Sequence, residues 1–256
     1  CLSCHRLQSN RQGEMGSELL DRLLKDVSQW QNPLAEIIPV NYGEFFLRDD
    51  WYGILTKIVN NLPKTQIVIP TNGWLLDDNK IDLLCKIPTI KIINFSVNAY
   101  FDETYEAFMG LPAKNLRNIE LAIRRIKVQR PDIKIWASMV HNPIYQTDLE
   151  RDLFIEYWKS KVDTAWVINA SSANRPDCKV RIINSIPCRS IFSDFVVGYD
   201  GKLSSCCFDA SFSLDLDYYS GNLLKDWRNP KIEGLRDLHL QYRRQEITLC
   251  QQCSYA

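Results

Sequence analysis

The chain has no apolar run near the ~20 residues that a membrane-crossing helix needs. It also has no surplus of either charge: lysine plus arginine and aspartate plus glutamate number 31 each. The first absence argues against a membrane protein. The second argues against a partner such as nucleic acid, whose binders carry a basic excess or stripe. The densest basic run, "RRIKVQR" at 124–130, fits the solvated face of a helix. No signal peptide, internal repeat or low-complexity stretch is visible. Histidine is scarce, and His5, His141 and His239 stand apart in the sequence. His239 falls on the terminal helix and reads as a surface residue.

Cysteine, by contrast, is plentiful. Nine is an odd number, which a fully paired disulfide framework cannot use. The thiols are unevenly placed: Cys1 and Cys4, then Cys85, then Cys178, Cys188, Cys206, Cys207, Cys250 and Cys253. Clusters at both ends suggest metal ligation in a reducing compartment, so a cytoplasmic location is expected. Cys85, in "IDLLCKI", reads as a small buried hydrophobe, and Cys178 has no evident partner. The opening C-x-x-C alone fits a zinc knuckle, a redox pair or part of an iron–sulfur motif.

With 256 residues, 45% of them apolar, the chain can bury one large core and a small appendage. Leu19, Leu20, Leu23, Leu24, Val27 and Trp30 mark a first amphipathic helix. Five short apolar strands follow, near 37–42, 66–71, 91–98, 134–140 and 164–169, with helical patterns between them. That alternation predicts an α/β fold with a parallel sheet. If the first helix also follows a strand, that strand precedes Cys1, and the array becomes a partial (β/α)6 barrel. The opening cysteines then sit in its first βα loop, at the chemically active edge of such folds. Near 170–186 the rhythm gives way to "CRSIFSDFVVGYDGKLSSCCFD", a hairpin pattern with a "YDG" turn, then a helix near 231–244 and "LCQQC". The expected domains are therefore 1–170 and 171–256.

The strand ends "NYGE", "PTNG" and "FSVNAYFDETYEAFMG" resemble, in order, those of the radical S-adenosylmethionine (radical SAM) enzymes. In that family a C-x3-C-x2-C loop holds a 4Fe-4S cluster; Cys1 and Cys4 match its second and third cysteines, and the first would lie four residues before Cys1. The resemblance implies three thiolates on three irons, with the fourth iron open to S-adenosylmethionine. One electron from the cluster then cleaves a C–S bond, giving methionine and a deoxyadenosyl radical. Gly43 and Glu44 resemble the "GGEP" segment that holds the methionyl ammonium, with Tyr42 and Phe45 replacing the first glycine and the proline. Asn72, within the "TNG" turn, and Ser96 are implied cofactor contacts. Met109 stands where the family has arginine. Without the resemblance, Gly-Glu carries no signal and "TNG" is simply a turn.

The C-terminal half adds a second resemblance. Cys188, Gly201 and Cys206 match the "C-x9–15-G-x4-C" opening of the SPASM or twitch extension, and "GNLLKDWRNPKIEGLRDLH" resembles its "GN…W…LR" continuation. The implied auxiliary 4Fe-4S cluster would take Cys188, Cys206, Cys250 and Cys253, with Cys207 the alternative to Cys206. The competing reading is a structural zinc site made of the same thiols.

Polar residues after three successive strands, Asn98, His141, Asn142 and Asn169, are the substrate candidates; loop capping is the alternative for each. The resemblance implies an enzyme that abstracts a substrate hydrogen and needs an electron donor such as flavodoxin or ferredoxin. One auxiliary cluster suggests a dehydrogenase of a sugar-like alcohol. The alternatives are a peptide- or protein-modifying enzyme and a non-catalytic zinc- or cluster-binding scaffold.

Overall fold

The computed structural model describes residues 1–170, 186–251 and 253. Cys178, and most of the expected boundary at 170–186, lie outside them. The described elements are α1 (Ser17–Ser28), β1 (Glu36–Ile37), α2 (Trp51–Asn61), β2 (Gln66–Thr71), α3 (Asp78–Cys85), β3 (Ile90–Ser96), α4 (Asp102–Met109), α5 (Lys114–Gln129), β4 (Lys134–His141), α6 (Asp148–Trp158) and β5 (Thr164–Asn169). After these come α7 (Ser190–Ser193), β6 (Val196–Val197), β7 (Leu203–Ser204), α8 (Leu223–Trp227) and α9 (Pro230–Leu240). The chain divides into two compact units, Cys1–Ser3 with Trp30–Asn169, and Cys4–Gln29 with Ala170–Ala256.

The first unit is a five-stranded parallel sheet in the order β1-β2-β3-β4-β5. Parallel neighbours need crossovers, and helices supply them. Ile67, Ile69, Ile90, Ile93, Phe95, Ile135, Ala137 and Met139 are fully buried along the strands, and so are Leu55, Ile119, Ile126 and Phe154 on the helices. Each of these side chains except that of Ala137 contributes roughly 1.5–3 kcal/mol of burial. The strand expected at 37–42 is much shorter. β1 covers two residues at the sheet edge, and Ile38 beyond it is 52% exposed. Pro39 follows and has no N–H to give a ladder. Helix α4, by contrast, extends the elements read from the pattern; Asp102 and Glu103 open it and Gly110, at φ +68°, ends it. Cys85 is half-buried.

The basic run on α5 is matched by carboxylates. Arg125 lies 3.0 Å from Asp78 and 2.9 Å from Asp82, Lys127 2.6 Å from Asp163, and Arg130 2.7 Å from Asp132. No helix among the described residues is long and apolar enough to cross a membrane.

The second unit includes α1. Its Asp26 carboxylate accepts from Tyr219 Oη at 3.0 Å and from the Leu223 amide at 2.7 Å. Arg11 makes a two-pronged contact with Asp200, both at 2.7 Å. Strands β6 and β7 are antiparallel, closed by a bond from Gly198 N to Lys202 O of 2.7 Å, with Gly201 at φ +86° in the turn. The long strand expected before this turn is replaced partly by α7. There Ile191 is buried and its carbonyl accepts from Arg236 Nε of α9 at 3.1 Å, a tertiary contact that overrides the alternating pattern. Helix α9 starts with Pro230 under an Asn229 cap and stops at Leu240, short of the expected 244. Tyr242 at φ +59° turns the chain into two 3-10 turns, Arg244–Glu246 and Thr248–Cys250. The "W…LR" pair is structural: the Arg236 guanidinium lies 3.9 Å from the Trp227 ring centre.

Candidate functional site

Register aligns the carboxyl ends of the sheet. Ser96 pairs across from Ser138, and His141 from Asn169. Gly43, exposed at φ +100°, turns the chain into Glu44. Glu44 Oε1 accepts from Thr71 Oγ1 at 2.9 Å and from Phe46 N at 3.4 Å, and Oε2 from Asn72 N at 2.8 Å. Burial pushes this carboxyl's pKa up against the opposing pull of the Asn72, Thr71 and Phe46 donors. Thr71 Oγ1 also accepts from Gly73 N at 3.0 Å. Gly73 sits at φ +75°, where a Cβ would come within 2.7 Å of Ile119 Cγ1, so only glycine fits. The Asn72 side chain accepts from Trp74 N at 2.9 Å and its carbonyl from Asn115 Nδ2 at 2.9 Å. Ser96 is half-buried at the end of β3.

Two of the substrate candidates spend their side chains on loops. Asn98, buried at φ +64°, accepts from Val140 N at 2.8 Å and donates to Met109 Sδ at 3.3 Å. The thioether thus stands where the family's arginine was expected. Asn142 accepts from Ile144 N and donates to Ser3 Oγ, both at 3.1 Å. His141 is different: it is buried, and its Nε2 has no hydrogen-bond partner, with Asp148 Oδ1 3.7 Å away. Asn169 is exposed at the end of β5. Cys1 is exposed; Cys4 is half-buried and precedes the short 3-10 turn His5–Gln8.

In the second unit a cavity of about 30 Å³ is lined by Cys188, Cys206, Cys250 and Cys253. Apolar side chains such as Phe208 and Leu249 complete much of its wall. Cys207 is not among the lining residues; it sits in the turn closed by a bond from Asp209 N to Cys206 O at 3.1 Å. Burial pushes the Cys206 thiol well above its usual range, Cys207 to about 11 and Cys250 to about 12. Thiols held this way stay protonated until a metal replaces the proton. Among the described residues no three His, Cys, Asp or Glu side chains converge as ligands of a single ion. Thiols spread around a cavity suit a cluster, in which each iron meets a separate thiolate, better than one zinc ion.

His239 corrects the surface reading. It is buried on α9, its Nδ1 accepts from the Cys188 amide at 3.0 Å, and its Nε2 lies 3.8 Å from Cys250 Sγ. Burial and the nearby Arg244 push its pKa down to about 4. Its helical phase relative to Ile232 and Arg236, both buried, was the available signal.

Residues 188–254 match the model of the SPASM family, an iron-sulfur cluster-binding domain. Among solved structures, BtrN in complex with AdoMet and 2-DOIA superposes with a TM-score of 0.69 at 16% identity, over 100% of this chain and 87% of that one. The chain shares the fold of this AdoMet-bound structure, and its tail matches the SPASM family. Streptococcus suis SuiB bound to precursor peptide SuiA gives a TM-score of 0.69 at 15% identity, over 92% of this chain and 63% of SuiB. Native anSMEcpe with bound AdoMet gives 0.69 at 15% identity, over 99% and 85%. No curated protein matches by sequence. The matched stretch contains the cavity-lining Cys188, Cys206, Cys250 and Cys253, and Cys207 as well.

Proposed function

We propose that the protein is a radical SAM enzyme that abstracts a substrate hydrogen and carries an auxiliary 4Fe-4S cluster in its SPASM domain. The observation that carries this reading is the ring of Cys188, Cys206, Cys250 and Cys253 around one cavity, inside the matched domain and on a chain with this parallel sheet. Cys1 and Cys4 would hold the first cluster with the cysteine that the C-x3-C-x2-C pattern places before them. With cluster and S-adenosylmethionine bound, one electron cleaves the sulfonium and yields the radical that takes a hydrogen atom from substrate.

The chain's own contribution is orientation. Glu44 Oε2, which accepts from Asn72 N, keeps a second lone pair for the methionyl ammonium. Gly43, Asn72 and Ser96 frame the rest of that pocket. His141 supplies an unengaged Nε2 for a substrate hydroxyl, with Asn169 beside it in register. Asn98 and Asn142 hold the loops that present it. The substrate we favour is a sugar-like alcohol, oxidised at a carbinol, because the domain gathers thiols for one auxiliary cluster. A peptide is the second reading; it is favoured by the likeness to SuiB, which was solved with a precursor peptide. A flavodoxin or ferredoxin would supply the electron.

The test uses the full-length protein, purified and reconstituted anaerobically. Iron near eight atoms per chain, and 5′-deoxyadenosine formed on reduction with S-adenosylmethionine, are expected. Zinc in the SPASM site, or no deoxyadenosine, overturns the reading and favours the scaffold.

A further inference from the structure

The ring of His239 joins two thiol-bearing segments. Its Nδ1 accepts the amide proton of Cys188 at 3.0 Å, and its Nε2 lies 3.8 Å from Cys250 Sγ. An Nδ1 that accepts has no proton of its own, so in the neutral ring the proton is on Nε2, facing the sulfur. That tautomer decides the role. A histidine that ligates metal usually donates through its other nitrogen to a carbonyl or carboxylate, which is the reverse of what is found here. The ring is 2% exposed and lines the same cavity as the four cysteines, with no aspartate or glutamate among the lining residues. Phe192 sits edge-on to it at 6.4 Å between centres, and the Arg244 guanidinium lines the cavity beside it.

We propose that His239 is a positioning residue for the auxiliary cluster, donating from Nε2 to the Cys250 thiolate and thereby favouring the reduced state. This rests on the cluster assignment above. A hydrogen bond to a cluster sulfur stabilises the added negative charge of the reduced form, which raises the reduction potential. The Cys188 amide fixes the ring, so the bond is pre-set by the fold and does not depend on the substrate.

The test uses the full-length chain with Cys1→Ala and Cys4→Ala, so that only the auxiliary cluster remains. Its potential is measured by redox titration followed by electron paramagnetic resonance. His239→Leu should lower the potential, shifting the oxidised-to-reduced ratio at a fixed potential roughly tenfold, about 59 mV for one electron. His239→Gln, which keeps a side-chain N–H, should restore most of the shift. Equal potentials in wild type and His239→Leu overturn the inference. A second measurement needs no substitution at this residue. With 15N-histidine, pulsed resonance of the reduced cluster should show one weakly coupled nitrogen, as a bond through N–H···S gives. A strong coupling, as from a nitrogen bound to iron, overturns the donor role. Absence of iron from this double variant before any change at His239 overturns the cluster assignment, and the inference with it.

Discussion

The two units hold their chemistry in opposite ways. At the sheet ends of the first, Glu44 is gripped by donors from Thr71, Asn72 and Phe46, and the scaffold beneath is a dry apolar core. That carboxylate has its donors before any ligand arrives. In the second unit the thiols surround a largely apolar cavity and burial keeps Cys206 and Cys250 protonated. The Glu44 pocket is arranged by the protein's own donors; the thiol cavity, on the function proposed above, would be completed by a bound cluster. Buried groups that are costly to ionise become ligands when metal displaces their protons, and the binding free energy then becomes folding free energy.

The contrast is broken most directly by removing the thiols. Cys188→Ala, Cys206→Ala, Cys250→Ala and Cys253→Ala together should remove about four irons and leave the tail open to protease. The sheet unit should remain folded, and reductive cleavage of S-adenosylmethionine should persist. Iron analysis and limited proteolysis read both effects. A variant that retains full iron places the auxiliary cluster elsewhere, and Cys207→Ala alone should leave the iron count unchanged.

The complementary change is Glu44→Gln. It alters a preformed site without touching a thiol, so iron should stay constant. Affinity for S-adenosylmethionine should fall roughly 10–100-fold, the loss of one charge-assisted bond of ~1.5–3 kcal/mol. Equilibrium binding measures this, and unchanged affinity removes Glu44 from the pocket.

How far the sequence foretold these sites follows from the same difference. Strands β2 to β5 were legible because a parallel sheet is apolar on both faces, giving runs such as "QIVIP" that need no context. The four thiols that line the cavity were legible through the resemblance of their spacing to the SPASM pattern. β1 was overestimated since Pro39 counts for more at an edge than the apolar letters around it. His239 was missed because burial on α9 depends on how that helix packs in its unit: the histidine stands between Leu238 and Leu240, yet it is the histidine that is buried while Leu240 is exposed. The loop-holding roles of Asn98 and Asn142 were equally hidden: a side chain bonded to Val140 N or Ser3 Oγ looks the same in sequence as one awaiting substrate.

If the sheet unit stands without metal, its stability should be tunable by its own charges. Asp163 accepts from Ile135 N at 2.8 Å and pairs with Lys127 and Lys134. Burial alone would raise its pKa, but the Ile135 amide and the two lysines outweigh it and hold the carboxyl at about 2. A carboxyl depressed in the folded state stabilises above its unfolded value of 3.8 and loses that contribution as pH falls from there towards 2. Asp163 is exposed and water screens these contacts, so the contribution is about 1 kcal/mol or less. Asp163→Asn should therefore lower the urea midpoint at neutral pH and flatten the acid dependence below pH ~4. An acid transition of the same steepness in the variant assigns it to other carboxylates.

An effect of similar size is expected in the turn that leads to the Cys206 segment. Gly201 sits at φ +86°, and a Cβ there would meet Leu19 at 3.7 Å and Tyr219 at 3.9 Å, which is ordinary contact. Gly201→Ala therefore adds backbone strain without a clash, unlike Gly73, whose Cβ would overlap Ile119. Strain of this kind costs roughly 1 kcal/mol. On the function proposed above, iron would bind the folded tail and add its own stabilisation by mass action. The loss should thus be visible as a small drop in the melting temperature of the iron-free protein, with the iron content of the reconstituted protein unchanged. A large loss of iron in Gly201→Ala would mean that the hairpin itself sets the position of Cys206, and that the second site is more preformed than its thiols suggest.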